Sequence, residues 1–313
     1  MSVVKLQTYK TLFVLAAHYD LEVNQMNVTI TFLYDSIDQV IYIELSHSYE
    51  LSDKVALLNK ALYDLKQASC LWYKTLHNLL TSLDFCWLDS DHSMFIWNSV
   101  IITVYVDDFL LVEKNKSAIQ NVKQCLNDTF KMSDLSPVFY YLDMKVKWNC
   151  TEHTICFTQT AYINKVLQTF QQLQTVFVDT SMNSDAVLMK KSITQTDITV
   201  IWQYQKAVKS LMYIMLQTCS DIIFAVFTVS QFAQNLNTSH YNTVKQIFKY
   251  LVSTMNLSVI YDITDDGLIS YTNADWDDCH NIRKFTEAYL FLLYEGLISW
   301  CSKHQCYSQT VTS

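Results

Sequence analysis

Two adjacent carboxylates in an apolar run are the feature of this sequence best suited to chemistry. Asp107 and Asp108 lie inside Ile101-Ile102-Thr103-Val104-Tyr105-Val106-Asp107-Asp108-Phe109-Leu110-Leu111-Val112. A buried carboxylate without a partner is costly, so the pair must meet solvent, a basic group or a cation. Two readings fit. Asp tolerates turn dihedrals, so the pair can be a plain hairpin turn. A hard cation such as Mg²⁺ takes one or two protein carboxylates plus substrate phosphates, so the pair can equally serve phosphoryl chemistry.

Positioning such a pair is the task of its flanks. Both are β-branched and apolar, which predicts two short strands with Asp107-Asp108 as the turn between them. Upstream, residues 9–19 read as a helix, and Val23–Leu33 as a strand running into a turn or short helix. Val40–Glu44 reads as a further strand, and the apolar spacing from Leu71 to Leu83 as a helix. Phe95–Trp97 is predicted as a strand, Lys116–Phe130 as an amphipathic helix, and Phe139–Val146 and Thr154–Phe157 as strands. Helical periodicity then dominates in 161–170, 204–217, 221–233 and 240–253, with polar loop expected over 174–199. Strand patterns return at 268–271, 288–294 and 297–300. The expected class is α+β, in three units: 1–150, 151–265 and 266–313.

Composition narrows the setting. Half of the 313 residues are hydrophobic, enough for a sizeable core. No apolar run reaches the roughly 18 residues of a membrane span, so an intracellular protein, in cytoplasm or nucleus, is expected. The net charge of −8 lacks the basic footprint of an efficient nucleic-acid binder. Cys301, His304 and Cys306 have no second pair to complete a zinc site. Glycine is confined to Gly267 and Gly296, proline to Pro137 and arginine to Arg283. Turns that need positive φ lose their cheapest residue when glycine is absent. The chain is therefore either very helical or carries strained turns.

Read in order, several segments resemble copia-type retrotransposon polyproteins, from within the reverse transcriptase into the ribonuclease H. The pieces that carry the resemblance are Ala61-Leu62-Tyr63-Asp64-Leu65-Lys66-Gln67-Ala68, Tyr105-Val106-Asp107-Asp108, Ser210-Leu211-Met212-Tyr213, and Ala274-Asp275-Trp276 followed by Arg283-Lys284. The resemblance implies a right-hand polymerase palm, an antiparallel sheet on helices. Incomplete fingers, a helical thumb or connection over 151–265, and a truncated ribonuclease H-like sheet over 266–313 would accompany it. It implies two-metal nucleotidyl transfer, with Mg²⁺ or Mn²⁺ as cofactor and template-primer and nucleoside triphosphates as partners. In that scheme three carboxylates hold two ions roughly 3.5–4 Å apart. Asp107 and Asp108 match two of them, and the third position is Asn27. Phe32 matches the aromatic under the sugar, though a core phenylalanine is an equal reading. Gln67 and Lys66 match positions near the incoming nucleotide, with a solvated helix start as the alternative. Tyr105 belongs to the acidic motif, and Tyr140 and Asp143 to the primer-gripping hairpin.

The departures from the family pattern share a chemistry. Asn27 and Asn273 replace metal-binding aspartates, with Asp275 beside the latter. Cys70, Cys219, Gln231 and Gln246 stand for arginine; Ser69, Ser181 and Ser220 for proline; Asp64, Asp143 and Ser253 for glycine. Each can arise from a single C-to-T or G-to-A transition in the gene. The expectation is a mutationally decayed element: a palm-like chain that is weakly active or inactive, or an inert relic with at most weak nucleic-acid binding. An amide at position 27 removes a negative charge where charge count sets metal affinity.

Overall fold

The structure, a computed structural model, describes residues 3–37, 39–44, 54–63, 65–149, 151–172, 177–183, 188, 198–234, 236–264, 266–275 and 286–305. The chain divides into two compact units, Met1–Leu12 with Asp20–Val138, and Phe13–Tyr19 with Phe139–Ser313. Helix α1 (Leu6–Tyr19) contributes to both.

The first unit is built on a six-stranded antiparallel sheet. Its strands are β1 (Glu22–Val28), β4 (Cys86–Leu88), β5 (Asp91–Trp97), β6 (Val100–Tyr105), β7 (Asp108–Glu113) and β8 (Met132–Asp134), in the order β4-β5-β6-β7-β1-β8. A separate two-stranded ribbon joins β2 (Tyr42–Glu44) and β3 (Val55–Leu57). Strand β7 is buried along its length apart from Asp108, as expected of a continuous apolar run in the middle of a sheet. One face of the sheet contributes Met26, Val28, Phe109 and Leu111 to a core closed by Trp72, Leu76 and Leu80 of α2 (Ala68–Ser82) and by Ile119, Val122 and Leu126 of α3 (Lys116–Thr129). Asn115 starts α3, its side chain accepting hydrogen bonds from the Ser117 and Ala118 amides.

The second unit has two antiparallel sheets and a helical core. One sheet orders β9 (Tyr140–Tyr141), β10 (Met144–Asn149), β11 (Thr154–Thr158) and β12 (Val259–Tyr261) as β12-β11-β10-β9. The other is β13 (Leu268–Asp275), β14 (Thr286–Leu293) and β15 (Gly296–His304). Helices α4 (Thr160–Thr169), α5 (Ile198–Gln217), α6 (Ile223–Ser230) and α7 (Thr238–Thr254) bury a joint core that includes Leu167, Tyr204, Leu211, Val226, Ile247 and Leu251. The α+β class with antiparallel sheets thus agrees with expectation. No helix among the described residues is long and apolar enough to cross a membrane.

Three differences from the sequence reading have physical causes. The acidic turn is Val106-Asp107, not Asp107-Asp108; Tyr105 pairs with Asp108, which already belongs to β7. The stretch 139–146 is interrupted, because Leu142 and Asp143 turn the chain between β9 and β10. Strands β3, β4, β8 and β12 are each three residues long, too short to register as a period-2 pattern. Most of 174–199 lies outside the described residues, as do Asp64, Trp276, Arg283 and Lys284.

Scarcity of glycine is answered by strain. Eleven described non-glycine residues have positive φ, including Ile30, Val106, Leu142, Asp143, Tyr294 and Glu295. For an L-residue this conformation costs roughly 1–2 kcal/mol, and β-branched Ile30 and Val106 are its least suited occupants. Neither described glycine has positive φ.

Candidate active site

The acidic hairpin is fixed from two sides. Val106 has φ of 61°, the sign a type II′ turn requires at its first loop residue. Its carbonyl oxygen accepts the Trp72 indole N–H at 2.8 Å, and the Asp107 carbonyl accepts the Val28 amide at 2.9 Å. These two bonds tie the tip to α2 and to the end of β1. Trp72 itself is fully buried, packing edge-on against Phe130 at 5.0 Å between ring centres.

That arrangement sets Asn27 directly opposite Asp108 in the β1–β7 ladder. The Asn27 Nδ2 donates to Asp108 Oδ1 at 3.1 Å. An ionised carboxylate only accepts, which is why the amide turns its NH₂ group here. A second amide converges on the same oxygen: Gln25 Nε2 lies 3.4 Å from Asp108 Oδ1. Residues two apart on a strand share a face, so Gln25 and Asn27 reach the carboxylate together. Gln25 is buried, and its backbone is bracketed by Ser136, whose hydroxyl accepts from the Gln25 amide at 3.0 Å and faces its carbonyl at 3.2 Å. Ser136 is in turn bound by Lys123 Nζ, which also reaches Asn24 Oδ1 and Asp134 Oδ2. Sequence reading gave Gln25 no role; its position two residues before Asn27 was the available signal.

Burial pushes the Asp108 carboxyl above the ordinary carboxylate range, and the charge of Asp107 adds to the rise. The hydrogen bonds from Asn27 and Gln25 oppose it. Two carboxylates side by side would favour a cation, but the third position offers a neutral amide, here turned with its N–H to Asp108, where a third negative charge belongs. Among the described residues no group of three or more His, Cys, Asp or Glu is placed to hold a metal ion. The residues present therefore do not fit the divalent pair implied by the resemblance.

Other expected site residues are placed as follows. In the first unit, Phe32 sits in the 3₁₀ turn Thr31–Tyr34, buried and edge-on to Tyr63 at 4.7 Å. Its position is that of a packed core aromatic. Lys66 is exposed, while Gln67 precedes α2 with its Nε2 buried and unpartnered. Tyr105 is half-buried at the end of β6. In the second unit, Tyr140 is exposed and Asp143 has φ of 57° in the β9–β10 turn. Asn273 and Asp275 lie two apart on β13, opposite Ala288 and Thr286. The Asp275 side chain is outside the described residues.

A family model described as reverse transcriptase (RNA-dependent DNA polymerase) matches residues 1–184. The retrovirus-related Pol polyprotein from transposon TNT 1-94 of Nicotiana tabacum is 35% identical over 315 residues, covering 97% of this chain and 24% of that protein. The Pol polyprotein from transposon RE1 of Arabidopsis thaliana is 30% identical over 292 residues, covering 90% of this chain and 20% of that protein. A putative transposon Ty5-1 protein of Saccharomyces cerevisiae is 26% identical over 291 residues, covering 89% of this chain and 92% of that protein. The chain thus spans a quarter or less of the two plant polyproteins.

Proposed function

This chain belongs to the reverse transcriptase (RNA-dependent DNA polymerase) family, as found in copia-type retrotransposons, and on that premise we propose that it carries a polymerase palm whose nucleotidyl-transfer centre is degenerate. In this reading the first unit supplies the palm, and Asp107, Asp108 and position 27 are its ligand positions. The helices within 151–265 serve as thumb or connection, and the sheet within 266–313 as a ribonuclease H-like remnant. Template-primer and nucleoside triphosphates are the partners; the resemblance gives nucleotide roles to Phe32, Lys66, Gln67 and Tyr105 of the first unit and, separately, primer roles to Tyr140 and Asp143 of the second. Supporting the reading is one relationship above others: Asn27 stands opposite Asp108 in the ladder, where a third carboxylate would complete the set.

The chemistry that remains is limited by charge. Asp108 already accepts two neutral N–H donors, and by the resemblance Asp143 is a negative residue at a position that meets primer phosphate. Primer extension on an RNA template, with Mg²⁺ or Mn²⁺, tests the proposal. The native chain is expected to extend weakly or not at all, and Asn27→Asp to gain at least tenfold; robust synthesis by the native chain would overturn the degenerate reading. A second reading, an inert domain with weak nucleic-acid binding, is favoured by the net charge of −8. It predicts no extension by Asn27→Asp either.

A further inference from the structure

Helix α7 turns a polar stripe away from the helical core of the second unit. Asn242, Lys245, Gln246 and Lys249 recur at i, i+3, i+4 and i+7, which is one face of a helix. Val244, Ile247, Phe248 and Leu251, on the other side, enter the core. Residues 177–183 cross the polar stripe as a strap. Gln246 fastens the strap, its Nε2 donating to the Thr180 carbonyl oxygen at 3.3 Å and to Asn183 Oδ1 at 2.7 Å. Ser253 fastens it a second time, donating its hydroxyl to the Val178 carbonyl oxygen at 3.3 Å. Between strap and stripe lies an open cavity of about 720 Å³, the size of a small-molecule site.

The lining carries charge that the protein does not pair. Lys245 and Lys249 both line the cavity, and among the described residues neither ammonium is in an ion pair. The Lys245 ammonium lies 5.0 Å from the centre of the Tyr241 ring. Two like charges one helical turn apart repel each other, at a cost to the helix. Asp179 lines the cavity from the strap and is in no ion pair either, so it does not neutralise the lysines by contact. The net charge of −8 makes the chain as a whole repel anions, so an anion site on it must be local.

We propose that this cavity binds a small phosphate monoester of the sugar-phosphate class. The monoester dianion matches the two ammonium groups in charge and relieves their mutual repulsion. Asn242 adds a neutral amide donor on the same face. Asp179 repels the phosphate but accepts hydroxyl donors, so it suits the sugar end of the ligand. A nucleic-acid backbone fits less well. Each of its phosphates is a diester with a single charge, and a carboxylate in the lining opposes a run of them. The site lies wholly in the second unit and does not depend on the polymerase reading.

Phosphorus NMR titration of the full chain tests this with ribose 5-phosphate, inorganic phosphate and a thymidine dinucleotide joined by one phosphodiester. Ribose 5-phosphate is expected to bind with a Kd of about 0.1–1 mM, the strength of a few charge-assisted bonds at an open site. The other two are expected to bind at least about tenfold more weakly. Replacing both lysines, Lys245→Gln with Lys249→Gln, is expected to weaken ribose 5-phosphate binding by about tenfold or more. The Tm should not change, since neither lysine belongs to the core. Absence of binding up to about 10 mM, or undiminished binding by the double variant, would overturn the proposal. So would inorganic phosphate or the dinucleotide binding as tightly as ribose 5-phosphate. Where the double variant does not fold, the single variants decide, each expected to weaken binding by about threefold; native affinity in both overturns the proposal. No readout here involves primer extension, so this result and that of the Asn27→Asp polymerase test stand or fall separately.

Discussion

Trp72 donates its indole N–H to the carbonyl oxygen of Val106 at 2.8 Å, joining the helix beneath the sheet to the tip of the acidic hairpin. A carbonyl deprived of that donor has a bulky left-handed residue on one side and packed helix on the other. Trp72→Phe keeps most of the ring volume but removes the bond. The expected loss is about 1–3 kcal/mol, the range for leaving a buried polar group unpaired. Urea denaturation monitored by circular dichroism measures it, and an unchanged midpoint would show that water replaces the indole.

Asp108 gives a pH dependence with a definite sign. Its folded pKa is raised by burial first and by the charge of Asp107 second, against the opposing amide bonds. The folded state therefore binds the proton more tightly than the unfolded state. Its stabilising contribution is complete below the ordinary carboxylate pKa and is lost as pH rises through the raised value. Asp108→Asn should melt at higher temperature than the native chain at pH 7, and the advantage should shrink as the pH falls towards 4 (a value near the ordinary range of about 3.9).

Asp134 behaves in the opposite way. Burial alone would raise its pKa, but the Lys123 ammonium and the side chain and backbone of Ser136 together hold it below the ordinary value. Its contribution is present above the unfolded pKa and disappears as pH falls through the lowered one. The carboxylate side chain is 46% exposed, so solvent screens much of this effect. Lys123→Met should flatten the acid limb of the Tm–pH curve. It should also destabilise at neutral pH, because Asn24, Asp134 and Ser136 each lose a donor. A parallel shift of the whole curve would count against the ion pair as the cause.

The two glycines and the left-handed residues make a paired prediction. A Cβ at Gly296 would lie 2.6 Å from Val14 Cγ2, whereas at Gly267 it meets nothing within 4 Å. Gly296→Ala is expected to cost about 1–3 kcal/mol, as overpacking does, and Gly267→Ala to be near neutral. Conversely Ile30, half exposed with φ of 61°, is a site where glycine should help. Ile30→Gly is expected to stabilise by about 1 kcal/mol, the left-handed penalty less the entropy that glycine adds to the unfolded chain. Urea midpoints rank all three.

Much of this was legible in the residues, and the misses are instructive. The β-branched flanks of Asp107-Asp108 announced the hairpin, but hydrophobic pattern does not say which of two acids leaves the turn. Tyr105–Asp108 pairing decided it, through a left-handed Val106 that no propensity would favour. Lack of glycine foretold strained turns without locating them. Pattern alone read 139–146 as one strand, whereas the resemblance had put Asp143 in a hairpin at a glycine position, and Leu142-Asp143 turn the chain there. The neighbourhood of Asn27 and Asp108 followed from the resemblance, whereas the Gln25 contact is a matter of strand face and register, visible only once β1 and β7 are paired. Short strands such as β8 exist because Met132–Asp134 can add to an edge already formed, a tertiary effect that no local window reports.

The two hairpins that turn through paired left-handed residues, Leu142-Asp143 and Tyr294-Glu295, have a consequence in time. Closing a two-residue loop is a local event that normally takes microseconds and precedes long-range assembly. Leu142, Tyr294 and Glu295 resist the required dihedrals, unlike Asp143, so that early step is expected to slow. A newly made chain is then expected to spend longer with open strand edges, exposed to proteases and aggregation before its cores have formed.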